Sequence, residues 1–312
     1  MQPARRVARP RGPVLRLRPL RRPRMTVSAD YRCAACQGAR AAFFGGREGY
    51  RYVECLQCGS LQLDPLPTAA FLAQQYAEVY SQACHCDNDP VLRDRIARPY
   101  YDAIIDGLEA QGGGGRVLDY GAGWGGMMQR LLDRGHRAEG VEPSDEMFAH
   151  CQSRGLHVLH GDIYHPELAG PFDGIVMSAV FEHLVGHEAW LARAASLLRP
   201  GGVFVSMQPT APFGRFFGTA LRLGIRGITL PKLHQTFCPP WHTVLFSLRG
   251  MDTIMARHGF QPLDVHRGPQ ALGPGLTGIA QRTLDTTNRA GWALLGKHWP
   301  GTICHIFVYQ KA

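Results

Sequence analysis

The chain has 312 residues, enough to bury a full core in one large domain or two smaller ones. Its apolar share, 45%, is ordinary for a globular protein, and no apolar run approaches the ~18 residues of a membrane span. The formal charge of +9 would suit a nucleic-acid partner, but the nine arginines of residues 1–24 carry it and the remainder is balanced, which argues against a basic binding face.

Residues 1–24 are rich in Arg and Pro, contain no acid, and are not expected to fold alone. They read as an extended polyanion-binding arm, as a transit-like leader whose prolines spoil an amphipathic helix, or, the favoured reading, as sequence ahead of a start at Met25. A disordered tail is expected over residues 1–28. Nine cysteines, an odd number, without a secretory leader point to a reducing, cytoplasmic setting. The first folded unit, residues 29–66, carries Cys33-x-x-Cys36 and Cys55-x-x-Cys58. Each such turn offers two thiolates to one face, and two turns close a tetrahedron, so these four cysteines are expected to hold one structural zinc ion (Zn2+). A degenerate ribbon or a redox pair are the competing readings. Tyr50–Glu54 alternates like a strand leading into the second knuckle, and Gly59 follows it where tight geometry favours glycine. Cys84-His85-Cys86 lies outside the ribbon spacing and reads as surface or packing cysteines.

Residues 67–111 form a helical linker. Thr68 is placed to cap a helix over 69–79, and a second helix runs over 90–108, broken or kinked at Pro99. Gly112–Gly115 reads as a hinge into the main domain, residues 112–312. From Arg116 strands and helices alternate, the sign of a mostly parallel sheet. Strands fall at 117–120, 138–142, 156–159, 174–178 and 203–207, with helices over 124–134, 144–154 and 187–198. Ser144 is the expected cap of the second of these helices and His187 of the third. Arg199-Pro200-Gly201-Gly202 reads as a turn. Residues 209–249 read as irregular and too long for a plain connection, hence a lid over a site. A helix over 251–258, ended by Gly259, and strands at 262–266 and 304–310 close the chain.

The stretch Arg116–Gly126, RVLDYGAGWGG, is a strand, a glycine turn and a helix start. Glycines allow close backbone approach to a ligand, and a helix start aims free N–H groups at it. Glu142 closes the next strand, where an acid can accept hydrogen bonds from ribose hydroxyls. Gly121, Gly123 and Gly126 also satisfy G-x-G-x-x-G, so on spacing alone an NAD site stays open.

Together, VLDYGAGWGG (117–126), GVEPS (140–144), HGDI (160–163), FDGIVMSAVFEHL (172–184) and LLRPGGVFVSM (197–207) resemble class I S-adenosylmethionine-dependent methyltransferases. The resemblance covers residues 116–268 well. The four-cysteine front with DPLPT (64–68) resembles a subgroup that couples a zinc ribbon to this domain, including some sugar C-methyltransferases, which usually have a longer C-terminal region. The fold implied is a Rossmann-like, seven-stranded, mostly parallel sheet with helices on both faces. The resemblance implies that Asp119, Gly121 and Gly123 line the methionine end of S-adenosylmethionine. It also implies that Glu142 takes the ribose hydroxyls, Asp162 the adenine amine with Ile163 against the ring, and that Ser178 and Ala179 lie near the sulfonium. Ser178 could equally be sheet packing, and Asp162 a turn cap.

Methyl transfer from a sulfonium needs alignment and exclusion of water, and a base where the acceptor is a hydroxyl or an acidic carbon. His183 is the first candidate for base or acceptor orientation, with Glu182 beside it and His242 reaching in from the lid; backbone bonding within its own turn competes for His183. His234 and Trp241 are candidates for the acceptor pocket, and Cys151, Cys238 and Cys304 read as packing. A small-molecule acceptor in biosynthesis is expected, with no membrane or nucleic-acid partner. A non-catalytic zinc-ribbon binding module with a vestigial cofactor domain, and an NAD-dependent oxidoreductase, are the competing readings. Oligomeric state is not legible.

Overall fold

The computed structural model describes residues 26–47, 49–75, 90–222, 236–269 and 275–312. The Arg-rich stretch 1–24, Met25, Tyr76–Val79, Cys84-His85-Cys86 and His234 lie outside the described residues. The expected tail boundary moves forward. Arg51 donates to the Thr26 carbonyl at 2.6 Å, and the Ser28 amide donates to Asp64 at 2.8 Å, so Thr26–Ser28 are tied to the folded body.

The main sheet has seven strands in the order β10-β11-β8-β7-β4-β5-β6. They are β4 (Arg116–Tyr120), β5 (Arg137–Glu142), β6 (Val158–His160), β7 (Phe172–Ser178), β8 (Leu198–Pro209), β10 (Phe260–Arg267) and β11 (Cys304–Lys311). The pairs among β6, β5, β4, β7 and β8 are parallel, and β11 runs antiparallel to both β8 and β10. Strands in the middle of such a sheet are covered on both faces and so are apolar throughout. Adjacent residues therefore serve opposite layers. Val117, Val176 and Val205 meet Ile104, Ile105 and Leu108 of α2 (Pro90–Glu109) and Met128 of α3 (Gly126–Asp133). Leu118, Ile175 and Phe204 meet Trp190 and Leu191 of α5 (His187–Leu197) on the other side.

Several boundaries differ from expectation. α2 passes through Pro99 as one helix. Gly112–Gly115 is a packed turn, not a hinge: the Gly112 and Gly113 amides cap α2 on the carbonyls of Glu109 and Leu108, and a Cβ on Gly113 would stand 2.7 Å from Val203. Arg199–Gly202 stays within β8 as a bulge, since Phe172 pairs with Leu198 but Gly174 with Val203. Gly186 caps α5; His187, expected as the cap, is buried and its Nε2 hydrogen-bonds the Phe181 carbonyl at 3.0 Å. The chain after β10 also holds a 21-residue helix, Gly275–Leu295, that the sequence reading did not anticipate. Thr68 does cap its helix, accepting from the Phe71 amide at 3.1 Å, and Ser144 caps α4 (Asp145–Ser153).

The segment 209–249 is not a uniformly irregular lid. It contains a helix, Ala211–Arg222, and a two-residue strand, β9 (Val244–Leu245). β9 joins β1 (Ala41–Arg47), β2 (Tyr50–Cys55) and β3 (Leu61–Leu63) as the fourth strand of the front sheet, pairing Leu245 with Leu61. The front unit is thus stitched into the main domain. Cys33, Ala35 and Val53 share one apolar cluster with Leu118, Val244, Phe246 and Met251. Ser247, which caps the helix Leu248–Arg257, also donates to the Cys58 carbonyl at 2.6 Å.

Candidate active site

Two groups of side chains stand out along the edge of the sheet formed by the strand tips. The first is the turn between β4 and α3. Gly121, Gly123 and Gly125 have φ of 81°, 56° and 79°, the left-handed region that glycine enters without strain. The Gly121 and Ala122 amides both donate to the Val141 carbonyl, at 2.9 and 3.0 Å, which locks the turn to the end of β5. A Cβ on Gly121 would meet Val180 at 2.6 Å, whereas one on Gly123 would meet nothing nearer than 4.0 Å, so open space lies over Gly123. Glu142 ends β5 and is buried, one carboxylate oxygen accepting from the Gly123 amide at 2.8 Å and the other from the Ser144 amide at 2.9 Å. Burial nevertheless pushes its pKa up. Asp119, at 1% exposure, has one carboxylate oxygen with no partner among the described residues. Burial, and then the neighbouring Glu142, raise it to about 8. The Cys151 thiol donates to the Gly123 carbonyl at 3.3 Å, a support that its sequence context did not signal.

Asp162 is exposed after β6 and accepts from the Tyr164 amide at 2.8 Å, so it caps its turn with one oxygen and keeps the other free of that bond. Ile163 corrects the expectation of a ring contact: it is fully buried in the main apolar cluster and presents no surface. Ser178 is half-buried at the tip of β7. Ala179 beyond it has φ 56°, uncommon for a residue with a Cβ, and its amide donates to the Met207 carbonyl at 2.7 Å.

The second group lies in the turn after β7. Glu182 and His183 share a 3-10 turn, Phe181–His183, and His242 comes from the far end of the 209–249 segment. The structure brings these three sequence candidates together. Nε2 of His183 stands 3.8 Å from a Glu182 oxygen, and the rings of His183 and His242 are 4.9 Å apart. Glu182 is fully buried and neither carboxylate oxygen has a hydrogen-bond partner among the described residues; burial raises it to about 8. Burial likewise lowers His183, helped by the nearby His242, and lowers His242 to about 4. Both shifts favour the neutral imidazole, whose unprotonated ring nitrogen can accept a proton.

Residues that the sequence did not single out build this corner. Thr243 donates to the Glu182 carbonyl through its amide at 2.8 Å and to the Leu184 carbonyl through its hydroxyl at 2.6 Å. Tyr52, on β2 of the front sheet, donates to the His242 carbonyl at 2.9 Å. Long-range contacts, among them the pairing of β9 with β3 and the Leu63 amide donating to the Thr243 carbonyl, bring these segments close, so no local signal could have found them. Trp241, expected near the acceptor, is buried with its indole N–H lacking a partner among the described residues.

In the front unit all four Cys33, Cys36, Cys55 and Cys58 sulfurs lie within 4.8 Å of one another. The Cys33–Cys58 and Cys36–Cys55 contacts are 3.6 and 3.5 Å, close to the ~3.8 Å edge of a tetrahedron with ~2.3 Å zinc–sulfur bonds. The donor set therefore fits a zinc ion. The contact with the Cys33 sulfur, the largest influence on it, lowers the Cys58 thiol pKa.

A family model described as a methyltransferase domain matches residues 93–265, more than half of the chain. An uncharacterized methyltransferase of Geobacillus kaustophilus is 35% identical over 140 residues, which cover 43% of this chain and 63% of that protein. One from Anoxybacillus flavithermus is 30% identical over 171 residues, covering 51% of this chain and 79% of that protein. In the first of these the chain spans less than two thirds of its relative's length. Among solved structures, the 1,6-didemethyltoxoflavin-N1-methyltransferase of Burkholderia thailandensis, bound to its substrate and S-adenosylhomocysteine, superposes with a TM-score of 0.51 at 17% identity, covering 82% of this chain and 96% of that one. Magnesium protoporphyrin IX methyltransferase from Synechocystis, with bound S-adenosylhomocysteine, gives 0.51 at 14% identity, covering 78% and 100%. The fold is that of the class I S-adenosylmethionine-dependent methyltransferases. The chain belongs to the methyltransferase-domain family, which takes the glycine turn out of the NAD class.

Proposed function

We propose that this chain transfers a methyl group from S-adenosylmethionine to a small biosynthetic molecule, in the cytoplasm, with one zinc ion held structurally by Cys33, Cys36, Cys55 and Cys58. The observation that carries the cofactor assignment is the pairing of open space over Gly123 with the partnerless Asp119 oxygen and the Glu142 carboxylate at the neighbouring strand tip. When bound, S-adenosylmethionine supplies an electrophilic methyl group on a sulfonium. Glu142 has acceptor lone pairs left for a ribose diol, since each oxygen takes one backbone amide. Asp119 offers a carboxyl that an incoming ammonium group would draw into its ionised form, and Asp162 a free oxygen for an amine. Ser178 and Ala179 flank the approach at the tip of β7.

The chain divides into a ribbon that begins at Thr26 and runs to residue 66, a helical linker (67–111) and the catalytic domain (112–312), with residues 236–249 closing one side of the site. At that side Glu182, His183 and His242 handle the acceptor. A neutral imidazole beside a desolvated carboxyl can orient an acceptor hydroxyl, amine or acidic carbon and receive its proton. Support for a small molecule is the buried setting of Glu182 and His183 and the substrate bound to the Burkholderia neighbour.

The test is incubation of the purified full chain with methyl-labelled S-adenosylmethionine and a metabolite extract, followed by mass spectrometry. A labelled small molecule, formed by the native protein and absent with Glu142→Ala, is expected. Transfer that continues undiminished in Glu142→Ala would overturn the site assignment.

A further inference from the structure

The corner formed by Glu182, His183 and His242 has a second property. One carboxylate oxygen of Glu182 and one ring nitrogen of each histidine all lie within 4.8 Å of one another. Metal–ligand bonds of ~2.1 Å set tetrahedral donors ~3.4 Å apart, so side-chain rotations that move the donors by up to roughly an ångström would close this set around an ion. Two further observations point to a cation. The carboxylate of Glu182 is fully buried and both its oxygens lack hydrogen-bond partners among the described residues. Buried carboxyl groups are paired, hydrogen-bonded or bound to metal, or else take up a proton. The Nδ1 of His242 stands 2.7 Å from the Thr236 carbonyl, which can only accept, so Nδ1 carries the proton and Nε2 keeps its lone pair. A histidine whose second nitrogen is tied to a backbone carbonyl is the usual arrangement behind a metal ligand. Tyr52 and Thr243 hold the backbone on either side of the triad, gripping the carbonyls of His242, Glu182 and Leu184.

We propose that Glu182, His183 and His242 form a second metal site, for a divalent transition-metal ion of the zinc, nickel or iron(II) class. Two imidazoles and one carboxylate suit these borderline ions better than calcium or magnesium, which prefer oxygen alone. Three protein donors leave a coordination position open, as in catalytic and unlike structural sites. With the ion bound, the histidine lone pairs are taken up by the metal, so the imidazoles would no longer receive the acceptor's proton, and the open position is where an acceptor oxygen or nitrogen would be oriented. That last clause rests on the methyl-transfer reading; the metal site itself rests on the geometry.

The experiment reads metal binding directly. The full-length protein, with its cysteine site loaded with zinc, is titrated with cobalt(II) and followed by absorption spectroscopy and metal analysis. The expected result is uptake of about one further ion per chain, with weak visible bands and no thiolate charge-transfer band. His183→Ala and His242→Ala should abolish this uptake and keep the cysteine-bound zinc, which reports that the front unit is folded. The isosteric Glu182→Gln should weaken it by at least roughly tenfold while preserving the fold. No second uptake by the native protein, or uptake that survives in the double histidine variant, overturns the proposal. Methyl transfer that persists without the second ion would leave the cofactor site standing while removing the metal from the reaction.

Discussion

The glycine turn at 116–142 and the histidine corner at 182–183 and 242 are built in opposite ways. The turn is local. Its glycines, its strand and its carboxylate lie within 27 residues, and backbone amides of the same stretch hold it, as where the Gly123 amide meets Glu142. The corner is assembled from a distance. Its parts come from the front sheet, the turn after β7 and the far end of the 209–249 segment, and β9 pairing with β3 is what delivers them. A ligand cradle made of backbone tolerates sequence change elsewhere. A constellation hung on a two-residue strand depends on the integrity of a whole second sheet.

The largest expected effect breaks that dependence. Cys55→Ser should abolish the proposed zinc site, whose occupation would provide ~10 kcal/mol of folding free energy. Because the front unit shares its sheet and core with Val244, Leu245 and Phe246, we expect loss of cooperative folding of the whole described body, measured by circular dichroism melting with metal analysis. A main domain that melts as before would make the front unit an independent module. Glu142→Ala should act on the turn alone. It removes charged hydrogen bonds worth ~2–3 kcal/mol, so affinity for S-adenosylhomocysteine should fall about a hundredfold, as read by calorimetric titration, while the histidine corner keeps its structure.

A smaller loss, ~2 kcal/mol, is expected from Thr243→Val, which strips a buried hydroxyl from the Glu182 and Leu184 carbonyls. Urea unfolding measures it; methyl transfer should fall further than stability explains, since the corner loosens first. The smallest effect comes from a control at the opposite end of the sheet. Asp173 accepts from the Arg116 amide at 2.8 Å and from Arg199 at 2.7 Å, and these bonds hold its pKa below the ordinary carboxylate value against the opposing effect of burial. A lowered folded pKa gives stability that is present above the ordinary value, near 3.8, and lost as pH falls through the lowered one. Asp173→Asn should therefore cost ~1 kcal/mol at neutral pH, with the two urea midpoints converging as pH falls below the ordinary carboxylate value. Loss of cofactor affinity in this variant would contradict the separation of the two regions.

The same contrast explains what could be read in advance. Strand and helix alternation, the glycine turn and the acid ending β5 carry short-range signals; Ser144 and Thr68 announce their capping roles, and the paired C-x-x-C knuckles their convergence, by neighbours three residues away. His183, Glu182 and His242 were legible as candidates one by one, but not as a cluster. The 209–249 segment looked irregular because its prolines and glycines hide a two-residue strand that exists only by pairing with residues about 180 positions earlier. Ile163 was misplaced for a related reason: position after β6 fixes its neighbourhood, while the face it turns to is decided by the main core.

Calorimetric titration of the full chain with S-adenosylhomocysteine, on the native protein and on Glu142→Ala, bears most directly on the central claim that the strand tips hold the nucleoside. One binding event for the native chain, and none measurable for the variant at the same concentrations, is the predicted result. Equal affinity in both proteins, or no binding to a natively folded, zinc-loaded chain, would contradict it.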